Sequence, residues 1–166
     1  MKRMKTDRVL LSVSVCGFFA MSASFALMPW DAVPMLPGIL FWSGLVMGIS
    51  LQILLEARRR AFFARYKANR KGIQKARNGL LSLCANREAT VVDVSLAVSV
   101  TGTVLAFVMS AGMGTECFYC IALTVFLFCL HCILNGRIYF HAKNQGKIRS
   151  MLEKKRNMGE KGEKKK

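Results

Sequence analysis

Four stretches of apolar residues, each roughly 18–22 residues long, alternate with segments that carry every Lys and Arg. About 20 apolar residues in a helix rising ~1.5 Å each cross a hydrocarbon core of ~30 Å. The runs lie at about Val9–Met28, Leu36–Leu55, Val91–Ala111 and Cys117–Leu134. The expected fold is therefore all-α, an integral membrane four-helix bundle made of two transmembrane hairpins.

Charge sorting gives the expected orientation. Of the 25 Lys and Arg, four precede the first run, ten lie between the second and third, and eleven follow the fourth. The two short connections hold only Asp31 and Glu116. Cationic loops stay on the cytoplasmic side, so both termini and the long central segment are expected there. The layout fits a multi-pass protein of a bacterial inner (plasma) membrane. Its expected divisions are a cytoplasmic N-terminus (1–8), a first hairpin (9–56), a basic loop (57–90), a second hairpin (91–140) and a basic, partly disordered tail (141–166). The Lys/Glu/Gly-rich stretch from Met151 to Lys166 is expected to fray.

A net charge of +16 can signal nucleic acid. Here the cations flank apolar runs, so anionic lipid headgroups are the better counter-charge. Arg58, Arg59, Arg60, Arg65 and Lys67 are the headgroup candidates, with Phe62, Phe63 and Tyr66 at the same depth. Asn78-Gly79 reads as a break, and Leu80, Leu81 and Leu83 could dip into the interface. The opening run also looks like a signal peptide with Ser24-Phe25-Ala26 as the cleavage site. It exceeds the ~7–15 apolar residues of such a segment, so a retained span is expected.

Helix ends are marked by Thr6, Asn86 and Thr115, each a candidate N-cap. Small residues recur at helical spacing: Gly44 and Gly48; Ser12, Cys16, Ala20 and Ser24; Ser95, Ser99 and Thr103. They let helix backbones approach closely, the main packing device in lipid. Packing within one chain is the expectation, with pairing of two copies through Gly44 and Gly48 the alternative. A faint similarity between the two hairpins, Val13–Gly17 with Val98–Gly102, suggests duplication.

Gln52 and Glu56, Asp93, and His131, Asn135 and Arg137 all fall near the cytoplasmic ends of spans. Isolated ionisable groups are costly there, so they are expected to face one another. Asp93 should meet His131 or Arg137, with Gln52 or Asn135 nearby. Such a cluster locks helices together or, because His titrates near neutral pH, forms a proton-responsive switch.

Cys117-Phe-Tyr-Cys120 and Cys129-Leu-His-Cys132 repeat a CxxC spacing. The two pairs lie about 18 Å apart on one helix, beyond the reach of a single tetrahedral metal. No metal or other cofactor is expected. Cys117 and Cys120 begin a helix on the expected extracytoplasmic side, where a thiolate is favoured. This placement resembles that of the four-span quinone-linked disulfide-forming enzymes and the vitamin K epoxide reductase group. The resemblance implies a redox pair at Cys117 and Cys120. Those families also use a second extracytoplasmic cysteine pair, and neither turn here has one.

No run carries Asp, Glu, Lys or Arg near its middle, as coupled transporters usually need. Nucleotide loops, HExxH and a serine elbow are absent from the sequence. The expected role is a non-enzymatic accessory or regulatory subunit. It would act through helix packing and a basic cytoplasmic face on lipid, another membrane protein or itself. The alternatives are a thiol oxidoreductase and a small oligomeric transporter.

Overall fold

The computed structural model describes residues 2–30, 35–65, 83–84, 86–110 and 114–163, with side chains omitted at 2–4 and 159–163. Tyr66, Lys67, Asn78, Gly79, Leu80 and Leu81, singled out above, lie outside the described residues.

The described residues form five helices: α1 (Lys2–Leu27), α2 (Leu36–Arg65), α3 (Arg87–Met109), α4 (Thr115–Leu134) and α5 (Arg137–Glu163). The first four contain windows long and apolar enough to cross a membrane. At ~1.5 Å per residue α2 is about 45 Å long, so its last turns run past a ~30 Å apolar layer. Pro37 falls in the first turn of α2, where its missing N–H costs no helical hydrogen bond.

The spans pack as an open row in the order α2, α1, α4, α3, rather than as a closed four-helix bundle. Three different devices join neighbours. Between α1 and α2, Gly17 meets Gly44 and Gly48 nearly backbone to backbone. Buried Ser14 donates to the Gly48 carbonyl at 3.0 Å and accepts from Gln52 Nε2 at 3.0 Å. Between α1 and α4, Phe19 and Phe126 meet edge to face, and Trp30 Nε1–H donates to the Tyr119 hydroxyl. Between α3 and α4, Ser99 and Thr103 both bond the Thr124 hydroxyl, at 2.8 and 2.9 Å. Polar contacts of this kind, with small residues, hold helices together where no water competes.

Three expectations are corrected. Thr6 lies inside α1, which begins at Lys2. Thr115 is the first residue of α4, and Gly114 takes the cap position without a side-chain bond. The fourth long helix ends at Leu134, where the last apolar run ends; Asn135-Gly136 breaks the chain, and α5 leaves as a separate helix. The tail expected to fray is helical to Glu163. Its helix is held by an apolar face: Ala142, Ile148 and Leu152 are buried, the last two against Phe63. Asn86 does cap α3, its side chain accepting from Ala89 N–H at 2.9 Å.

Candidate functional site

Two polar constellations occupy the basic end of the molecule. The first lies between α3 and α4. Asp93 is one and a half turns into α3, and its carboxylate Oδ1 accepts from His131 Nδ1–H at 2.6 Å. Both side chains are almost wholly buried, at 7% and 5% exposure. A carboxylate only accepts, which assigns the proton on this bond to Nδ1. Asn135, one turn on from His131, donates to the same Oδ1 at 3.2 Å and to the His131 carbonyl at 3.1 Å.

The segment before α3 closes the site. Cys84 has φ 52°, a left-handed backbone that L-residues adopt only when the surroundings require it. That geometry turns its N–H onto Asp93 Oδ2, at 2.7 Å. Two residues later Asn86 Nδ2 donates to the Leu134 carbonyl, capping the end of α4. One carboxylate therefore ties together a loop, the start of α3 and the last turn of α4. Such a group can fasten the loop to the α3–α4 seam.

The other residues expected in this cluster go elsewhere. Gln52 faces Ser14 on α1. Glu56 forms a two-pronged ion pair with Arg59 and also accepts from Arg60. Arg137 sits past the break with its Nε buried and without a hydrogen-bond partner among the described residues. The sequence places all these groups at similar depth; the row of helices keeps α2 away from the α3–α4 seam.

The second constellation was not anticipated. Asp7 on α1 is buried, receives Arg58 Nε from α2 at 2.7 Å, and accepts from Gln145 Nε2 on α5 at 3.3 Å. Beside it His141 lies buried between the Phe62 and Phe63 rings, centroids 5.1 and 5.6 Å away. Burial pushes the His141 imidazole below its usual 6.5; Asp7 and Glu56 pull it upward, and Arg59 pushes it down. Further out, the Glu88 carboxylate holds the Lys143 ammonium above its usual range. The sequence signal was present: Ala142, Gln145, Ile148 and Leu152 recur at helical spacing. The Lys/Glu/Gly composition around them masked it.

The headgroup candidates divide between contacts inside the chain and the surface. Arg59 is buried over the Phe63 ring, Arg58 is engaged by Asp7, and Phe63 packs against α5. Arg60 and Arg65 are exposed.

Of the small-residue stripes, Gly44 and Gly48 are buried against α1, so this face is occupied within the chain. Ser99 and Thr103 face α4, and Ser95 is half-buried. On α1 the packing face is Ser14, Gly17, Met21 and Ser24, while Ser12 and Cys16 point outward. Cys117 is 1% exposed and Cys120 half-buried, and neither forms a disulfide among the described residues. Among the described residues no group of three or more His, Cys, Asp or Glu could hold a metal ion.

No known protein family, curated protein or solved structure matches this chain.

Proposed function

We propose that this protein is a non-enzymatic accessory or regulatory subunit of a bacterial plasma membrane. It crosses the bilayer four times with both termini in the cytoplasm, where its basic face meets anionic headgroups. It works by helix packing against another membrane protein or a second copy; nucleic acid is not a partner.

The one-sidedness of α3 carries the reading. Its polar edge, Ser99 and Thr103, is taken by α4. The opposite edge presents Val91, Val94, Val98, Leu105 and Val108, each more than half exposed. Their spacing of three, four, seven and three is a heptad seam, the pattern by which helices interlock. A helix added to the end of the row would continue it. Support for the cytoplasmic face comes from α5, which turns Ala142, Ile148 and Leu152 inward and leaves Lys147, Lys154, Lys155 and Arg156 exposed.

A photo-crosslinking side chain at Val98, in growing cells, tests this. The expected product is a discrete protein adduct, absent when the same group replaces Ile53 on the outer face of α2. Lipid adducts alone at Val98 would overturn the proposal. A thiol oxidoreductase role has less support, because an exchanging thiol must be reached by its partner and Cys117 is buried.

A further inference from the structure

The cleft beside Asp7 is built for a ligand carrying both charges. It has a volume of about 280 Å³ and is lined by Asp7, Arg58, Ala61, Phe62, Arg65 and Gln145, from three helices. At roughly 30 Å³ per water this is room for about nine waters, or one small head group.

The polar groups sort into two halves. Arg58 and Arg65 supply guanidinium donors, which suit phosphate oxygens. Arg58 is already paired with Asp7, but Arg65 is exposed and has no acidic partner among the described residues. The other half is made of acceptors. Gln145 is 8% exposed; its Nε2 donates to Asp7 Oδ2, which fixes the amide orientation. Its Oε1 is then a buried carbonyl with no hydrogen-bond partner among the described residues. An unmet buried acceptor is costly, so a donor belongs there. The buried Asp7 carboxylate beside it makes a cationic donor the best match, and the Phe62 ring forms an apolar wall.

The position fits a lipid. Arg58 comes one turn after Leu55, the last residue of the apolar run of α2. This is headgroup depth if α2 spans the bilayer. We propose that the cleft seats the head group of an aminophospholipid of the phosphatidylethanolamine type. Its phosphate lies on Arg58 and Arg65, and its ammonium donates to Gln145 Oε1 and Asp7. The assignment rests on reading the basic end as the headgroup-facing surface of a membrane protein.

The test is retention of lipid by the full-length protein, released from membranes in mild detergent and offered phosphatidylethanolamine, phosphatidylglycerol and phosphatidylcholine in equal amounts. Native mass spectrometry reads the bound lipid. Phosphatidylethanolamine should be favoured over phosphatidylcholine by on the order of tenfold, what one charge-assisted hydrogen bond provides, because a trimethylated nitrogen cannot donate. Gln145→Leu should abolish that preference while phospholipid is still retained. Arg65→Ala should lower retention of all three lipids. Unchanged protease resistance of α5 identifies variants that keep their fold; Gln145→Met is the substitute if Gln145→Leu does not.

Equal retention of the three lipids by the wild type would overturn the proposal, as would a preference for phosphatidylglycerol. Competition by soluble phosphoethanolamine at the same concentration as lipid would also overturn it, by pointing to a free metabolite. Failure of the underlying reading looks different: residues 57–65 would label from the extracytoplasmic side.

Discussion

Gly17 and Gly44 meet backbone against backbone: a methyl group placed on Gly44 would stand 2.5 Å from the Gly17 carbonyl oxygen and 2.6 Å from the Met21 nitrogen. Neither neighbour can give, because both belong to a helix backbone. Gly44→Ala should therefore separate α1 from α2 and destabilise the protein by about 1–3 kcal/mol, the usual cost of overpacking. Gly102, with nothing within 4 Å, is the control. Gly102→Ala should be neutral or stabilise by up to ~1 kcal/mol through helix propensity. Thermal unfolding in detergent distinguishes the two.

The Asp93–His131 bond should behave as a coupled unit. Truncating one member strands the other in a buried site, at a cost of about 3–5 kcal/mol. Asp93→Ala and His131→Ala are expected to be far from additive, with a coupling of about 0.5–3 kcal/mol in a double-mutant cycle. Additive effects would show that the two side chains do not depend on each other. Asp93→Asn, which keeps an acceptor for Cys84 N–H, should cost less than Asp93→Ala.

Docking of α5 should weaken on acidification. Burial lowers the His141 pKa in the folded state relative to its usual 6.5. Above that value the imidazole is neutral whether α5 is docked or not, and its contribution to docking is complete. As pH falls below it, the undocked helix takes up a proton that the docked one resists, so stability declines until the folded-state value is passed. Asp7 and Glu56 oppose the effect, and Arg59 reinforces it. The protection factors of the α5 amides, which divide out the pH dependence of intrinsic exchange, should fall as the pH drops below that value. His141→Phe should flatten that slope.

Removing the apolar anchor should free the same helix. Phe63, Ile148 and Leu152 form one buried cluster. Leu152→Ala should cost about 2–5 kcal/mol of docking free energy. Limited proteolysis would then cut within α5 while α1 to α4 stay intact. Resistance equal to the wild type would show that α5 is held by other contacts.

Cys84 reports orientation. Its side chain is exposed, whereas Cys117 is buried. With every other cysteine replaced by serine, a membrane-impermeant maleimide should label Cys84 in inside-out vesicles and not in intact cells. The reverse pattern would invert the proposed topology.

Some of this is written in the chain itself. Four apolar runs and 25 sorted cations are linear properties, and hydrocarbon thickness translates them into the four long helices observed. The cap at Asn86 is equally local. Depth along the axis is also legible, which is why Asp93 could be set opposite His131 or Arg137 in advance; the structure brings it to His131. Azimuth is not: in lipid almost any face of a greasy helix can point outward at little cost, so periodicity carries little information about neighbours. Only tertiary structure decided that Gln52 turns to Ser14, that Gly44 faces Gly17 within the chain, and that the spans form an open row. It also decided that the basic tail folds back, because Asp7, Phe63 and Gln145 are remote in sequence. Their worth appears only when one surface buries all three.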